Sequence, residues 1–104
     1  MAWVYLMLAG LLEVVWALAM KQADGFSRLL PSVVTCVAML GSVGFLALAM
    51  RSLPLGTAYV IWTGIGAVGA FLAGAILLGE ALTAQRVAAA LMIVSGIVAM
   101  KLAH

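Results

Sequence analysis

The sequence predicts an all-α membrane protein with four transmembrane helices in a single domain, residues 1–104. Of its residues, 68% are hydrophobic and only 8% are charged, whereas a soluble domain is nearer half apolar and about a quarter charged. A soluble protein of this size would have to expose one large apolar patch to water. Lipid is therefore the expected solvent for most of the chain.

Four apolar stretches are long enough to cross a bilayer core, which needs about 20 helical residues. The first contains a single charged residue, Glu13, and the second and third contain none. The fourth carries Arg86 and Lys101 near its ends, from which long basic side chains reach the interface. The predicted helices cover approximately residues 2–20, 31–50, 56–78 and 84–102.

The segments between these stretches are short and rich in turn signals. Asp24-Gly25 is a typical turn pair, Gly79 suits the end of the third helix, and Thr83 suits the N-cap of the fourth. Links of this length force successive helices to run antiparallel. They leave no room for a soluble domain.

The charged residues and the single cysteine exclude several classes of protein. The net charge of +2 comes without a basic patch, so a nucleic-acid partner is not expected. One cysteine, Cys36, cannot form an internal disulfide or a Cys-based zinc site, and its apolar surroundings predict a buried, inert thiol. No metal, cofactor or enzymatic activity is expected. Met1-Ala2-Trp3 lacks the basic start of a signal peptide.

Basic residues are divided almost evenly between the two ends of the predicted bundle. Arg51 and Lys101 lie on one side, and Lys21, Arg28 and Arg86 lie on the other. A difference of one residue gives almost no orientation under the positive-inside rule. Either other factors fix the orientation, or the chain inserts both ways and forms an antiparallel homodimer, which would reproduce the inverted repeats of larger transporters.

Glu13, near the middle of the first helix, is the strongest candidate for a functional residue. A charge at the bilayer centre costs at least roughly 2.5–3.5 kcal/mol, and such residues usually mark ion or proton pathways. No basic residue lies at a matching depth, so a proton or a cationic ligand is the expected partner. The alternative is a protonated glutamate that holds helices together by hydrogen bonding.

Aromatic and small residues at helical spacing accompany Glu13. Gly10 and Trp16 share its face, and the Trp16 indole is expected to offer its N–H to the carboxylate. Tyr59 and Trp62 form a second aromatic stripe on the third helix, suited to a cation unless they belong to an interfacial belt. Ser42 lies halfway along the second helix, where it either bonds its own helix backbone or lines the site.

Glycines and other small residues in the last two helices indicate close packing. Gly64 and Gly66 allow a neighbouring helix to approach, and they can also supply a bend in the third helix. Ser95 and Gly96 belong to a small-residue surface on the fourth helix, which predicts an interface with another helix in the dimer.

Taken together, these features resemble the small multidrug resistance family over the whole chain. The resemblance rests on the helix layout, on Gly10-Leu11-Leu12-Glu13-Val14, on Gly25-Phe26-Ser27-Arg28 and, most specifically, on Pro54-Leu55-Gly56-Thr57-Ala58-Tyr59-Val60-Ile61-Trp62. At the position of Trp16 the chain resembles the guanidinium-exporter subtype, since the polyaromatic-drug subtype has a small residue there. Val60 and Ala81 depart from the commonest pattern, and neither is expected to touch the site.

The resemblance implies a function for these residues. Glu13 would be the site shared by proton and substrate, lined by Trp16, Ser42, Tyr59 and Trp62, in a dual-topology antiparallel homodimer of the bacterial inner membrane. The expected activity is proton-coupled export of guanidinium and small substituted guanidines. Two alternatives stay open: a broader exporter of quaternary ammonium and aromatic cations, and a structural membrane subunit in which Glu13 is an assembly contact.

Overall fold

The computed structural model describes residues 1–103, which form four α-helices joined by short loops. The helices are α1 (Ala2–Gln22), α2 (Leu29–Ala49), α3 (Leu55–Leu77) and α4 (Ala84–Ala103). At 1.5 Å per residue, each helix is about 30 Å long, the thickness of a bilayer hydrocarbon core. All four are long and apolar enough to cross a membrane. The predicted all-α architecture with four spans is confirmed.

The observed helix ends differ from the predicted ends by at most two residues. The start of α2 is an informative case, because Arg28 is its N-cap and Pro31 lies inside its first turn. Proline is tolerated there since the first amides of a helix have no intrahelical acceptor. At α4 the Arg86 amide donates to Thr83 Oγ1 at 3.1 Å, which confirms Thr83 as the N-cap.

The helices form a flat slab with extents of 40 × 34 × 17 Å. Within it, α1 packs against both α2 and α3, and α4 packs against α3. Helices α2 and α3 also meet, less extensively than either packs against α1. Helix α1 is therefore central, and α4 lies at one edge, in contact with α3.

Glycines bring α1 and α3 into close contact. A β-carbon at Gly10 would lie 2.8 Å from Ile65 Cβ, and one at Gly66 would overlap the Glu13 side chain. Gly64 allows the same close approach to α4, because a β-carbon at Gly64 would lie 2.8 Å from Ile97 Cδ1. Small residues in membrane helices permit this kind of approach. The α1–α3 contact is what places Glu13 against α3.

The thiol of Cys36 is exposed on the surface of α2, so the prediction of a buried cysteine is wrong. Its neighbours Val37 and Leu40 are 65% and 76% exposed. In a membrane helix an apolar neighbourhood does not indicate burial, because the lipid-facing surface is as apolar as the interior.

Candidate functional site

Glu13 lies halfway along α1, at the contact with Gly66 of α3. Its Oε1 is buried and has no hydrogen-bond partner within the part of the chain that the structure describes. A buried polar atom without a partner is rare and calls for an explanation such as a functional role or a bound species. Within residues 1–103, this oxygen therefore makes no hydrogen bond that would hold α1 to its neighbours.

Trp16 follows Glu13 by three residues on the same face of α1, but the expected hydrogen bond between them is not present. The indole Nε1 is buried and, like Glu13 Oε1, has no partner among residues 1–103. Helical spacing brings the two side chains to one face without fixing the direction of the ring nitrogen. The site thus contains an unpaired donor and an unpaired acceptor one turn apart.

Ser42 connects three helices about one helical turn before Glu13. It is fully buried and donates a hydrogen bond of 2.6 Å to the carbonyl oxygen of Ala9 in α1. Trp62 Nε1 of α3 in turn donates to Ser42 Oγ at 3.0 Å. Since Ala9 precedes Glu13 by four residues, its carbonyl is also the helical acceptor for the Glu13 amide. Ser42 thus bonds neither its own helix nor Glu13, but the turn of α1 that carries Glu13.

Tyr59 continues this aromatic group towards the surface of the slab. Its ring meets Trp62 edge to face, with 5.4 Å between the ring centroids, and 51% of the residue is exposed. Edge-to-face pairs of this kind fix ring orientation while leaving a π face available. The structure therefore joins Tyr59, Trp62 and Ser42 in one connected group beside α1.

The other predicted residues lie in helix contacts or on an open surface. Gly10 and Gly64 are buried against Ile65 and Ile97, and α3 runs through Gly64 and Gly66 as one continuous helix. On α4, Ser95 is exposed and bonds the Leu91 carbonyl at 2.8 Å. A β-carbon at Gly96 would meet nothing within 4 Å. The bend in α3 and the dimer contact through Ser95 and Gly96 stay predictions.

The Ala9 carbonyl is the contributor that sequence reasoning missed. Every residue has a backbone carbonyl, so no sequence signal marks Ala9 as the acceptor for Ser42. Among residues 1–103 no group of three potential metal-ligating side chains is found. The side chains predicted for the site supply one carboxyl group, two indoles, a phenol and a hydroxyl.

Comparison with known proteins identifies the family of this chain. The family described as "Small Multidrug Resistance protein" matches residues 1–94. The chain belongs to the small multidrug resistance family. It is 57% identical over 102 residues to the "Guanidinium exporter" of Escherichia coli (strain K12), covering 98% of this chain and 97% of that protein.

Two further relatives carry the same name. The "Guanidinium exporter" of Yersinia pseudotuberculosis serotype I is 55% identical over 103 residues, 99% of each chain. That of Citrobacter freundii is 53% identical over 102 residues, 98% of this chain and 97% of the relative. The family resemblance predicted from the motifs is confirmed, and this member of the family is a multi-pass membrane protein.

Proposed function

We propose that this chain exports guanidinium and small substituted guanidines across the bacterial plasma membrane in exchange for protons. The observation that carries the proposal is the unpaired carboxyl oxygen of Glu13, buried in the middle of a helix long enough to span the membrane. The relatives named as guanidinium exporters supply the substrate class. Exporters move solutes without converting them, so the proposed role is that of a transporter and not of an enzyme.

The chemistry of guanidinium matches a single carboxylate. Guanidinium keeps its charge at physiological pH, as the arginine side chain does, and presents a planar fork of N–H donors. Such a fork can bond both oxygens of an ionised carboxylate. A proton binds the same oxygens, so one Glu13 cannot hold both. If reorientation of the transporter requires one or the other, inward proton movement drives guanidinium outward.

The surrounding side chains favour a flat, small cation. Trp62 and Tyr59 offer ring faces, which attract cations electrostatically. The buried, unpaired N–H of Trp16 adds a donor close to the carboxylate. Trp16 lies one turn from Glu13, and Trp62 lies one turn from Gly66, which contacts Glu13. We expect these two indoles to leave little space for bulky aromatic cations, which lack the donor fork and depend on apolar contact.

We propose that the working unit is an antiparallel homodimer. A slab 17 Å thick cannot surround an aqueous site and close it on both sides. Helix α4 has no buried residue of its own and presents Ser95 and Gly96 on an open surface. The division of basic residues, two against three, supports insertion in both orientations. The two Glu13 carboxyl groups would then face one chamber and titrate as a coupled pair.

Transport by the purified chain in liposomes tests the proposal. An outward guanidinium gradient should drive protons inward, reported by an internal pH dye, and methylguanidinium should substitute for guanidinium. Glu13→Gln should abolish this coupled movement. Glu80→Gln is the matched control, because Glu80 is a carboxylate in the α3–α4 loop, 3.8 Å from Arg86. Equal transport of a bulky aromatic cation would favour the broader exporter, and no transport at all would favour the structural subunit.

A further inference from the structure

A cavity lies away from Glu13, at the end of the slab that contains the start of α1 and the C-terminal end of α4. Its volume is about 350 Å³, and it lies between α1, α3 and α4. This size falls within the range of about 300–1,000 Å³ that is usual for small-molecule sites. Most of its lining is apolar, including Leu6, Met7, Ile61, Ile65, Ile97 and Val98.

The cavity has a buried floor and an open side. Leu6 and Ile61 are 1% and 3% exposed, whereas Met7 and Val98 are 54% and 52% exposed. An extended apolar group could therefore enter from the lipid and pack against the floor. Ser95 and Gly96, the α4 residues predicted for dimer packing, do not belong to the lining.

One basic side chain stands at this cavity. The Lys101 ammonium group lies 5.3 Å from the centroid of the Trp3 ring, and both residues belong to the lining. Within residues 1–103, no ion pair joins Lys101 to a carboxylate. An ammonium group carries three N–H donors and no acceptor, so contact with a ring face leaves capacity for an anion.

The side-chain charges at this end of the slab also favour an anionic ligand. Among the side chains of residues 1–103, Arg51 and Lys101 lie at this end, whereas none of the three acidic side chains does. Glu13 is in the middle of α1, and Asp24 and Glu80 lie in the loops at the other end. A cationic substrate would be repelled here, while a molecule with an anionic head and an apolar tail matches both parts of the cavity.

We propose that this cavity binds an anionic phospholipid, with an acyl chain packed against Leu6 and Ile61 and the phosphate bonded by Lys101. Basic pockets between transmembrane helices are suited to anionic lipid headgroups, and a tryptophan at the helix end places the site at headgroup depth. The bound lipid would bridge α1, α3 and α4, and would thereby hold α4 to the rest of the slab. Export activity and lipid binding are separate properties, and either can hold without the other.

The test uses phosphatidylglycerol and phosphatidylcholine that carry the same photoreactive acyl chain, each incorporated into nanodiscs with the full chain. After illumination, labelled residues are mapped by mass spectrometry. Phosphatidylglycerol should label Met7 and Val98 about fivefold more than phosphatidylcholine does, the preference expected for one basic contact. Val37 and Leu40, exposed on α2, report non-specific labelling and should show no preference.

Three variants assign the preference to the cavity. Lys101→Gln should reduce the ratio between the two lipids to about one, and Lys101→Arg should retain most of it. Arg51→Gln is the matched control, since it removes a basic residue at the same end that does not line the cavity. Equal labelling by both lipids in the unmodified chain overturns the proposal, as does an unchanged ratio in Lys101→Gln. Absence of label at Met7 and Val98, because a second copy or another occupant fills the cavity, overturns it equally.

Discussion

Gly66 of α3 lies so close to Glu13 of α1 that a β-carbon at position 66 would stand 2.6 Å from Glu13 Cγ. No real β-carbon tolerates that distance, so any side chain at position 66 must displace the carboxyl group or separate the two helices. Gly66 therefore determines where the carboxyl group lies between α1 and α3.

The first prediction is that Gly66→Ala weakens guanidinium binding by at least about tenfold, or roughly 1.4 kcal/mol. The added methyl group forces Glu13 away from its position, while the gain in helix propensity is favourable by up to about 1 kcal/mol. Gly44→Ala is the control, because a β-carbon there meets nothing within 4 Å. Calorimetric titration of both purified variants measures the effect. Equal affinities in the two would show that the contact does not position the carboxyl group.

The second prediction concerns the hydrogen bonds from Trp62 to Ser42 and from Ser42 to the Ala9 carbonyl. Ser42→Ala and Trp62→Phe should each weaken binding, and the double variant should lose less than the sum, because each change disrupts the same group. A coupling of about 0.5–3 kcal/mol is expected from a double-mutant cycle. Thr35→Val is the control, since this buried hydroxyl of α2 bonds the Pro31 carbonyl within its own helix. If the losses in binding free energy of the two single variants add strictly in the double variant, the two hydrogen bonds do not act as one connected group.

The third prediction separates the two contributions of Trp16. Trp16→Phe keeps an aromatic wall but removes the buried N–H, so it should weaken guanidinium binding without admitting larger cations. Trp16→Gly should weaken guanidinium transport further and allow tetraphenylphosphonium to be transported. Uptake of both cations into liposomes provides the comparison. If the unmodified chain transports tetraphenylphosphonium as fast as guanidinium, Trp16 does not exclude large cations.

The fourth prediction is that both orientations occur in one membrane. Tags on the C-terminus should be accessible from the two sides in roughly equal amounts, because the basic residues divide two against three. Two lysines added to the α2–α3 loop should drive that loop towards the cytoplasm and reduce transport by lowering the antiparallel fraction. A single orientation of the unmodified chain would exclude the dual-topology dimer.

Much of the fold was predictable because membrane spans are specified by length and apolarity, and because Thr83 at the start of α4 is a local capping signal. The faces of the helices were not predictable in the same way. Cys36 lies in a helix that is apolar all round, so the sequence does not distinguish its lipid-facing side from its interior side. The structure was needed to show that Cys36 is exposed.

The side chains of the candidate site could be proposed from the sequence, whereas their hydrogen bonds could not. Glu13 and Ser42 are polar residues among apolar ones, and this contrast marks them in the sequence. The partners of these two residues could not be read from the sequence. Ser42 donates to a backbone carbonyl, and Gly66 contacts Glu13 because it has no side chain. Glycines near the middle of α3 fit a bend and a close contact equally well until the opposing residue is known.

The central claim is that a proton and guanidinium compete for Glu13, and guanidinium binding measured across pH tests it most directly. Because only the ionised carboxylate binds the cation well, affinity should fall as pH is lowered, by about tenfold per pH unit once the carboxyl group is largely protonated. Glu13→Gln, which preserves shape and hydrogen bonding but carries no charge, should show no measurable binding at any pH. Binding that does not change with pH, or that persists in Glu13→Gln, would contradict the exchange mechanism.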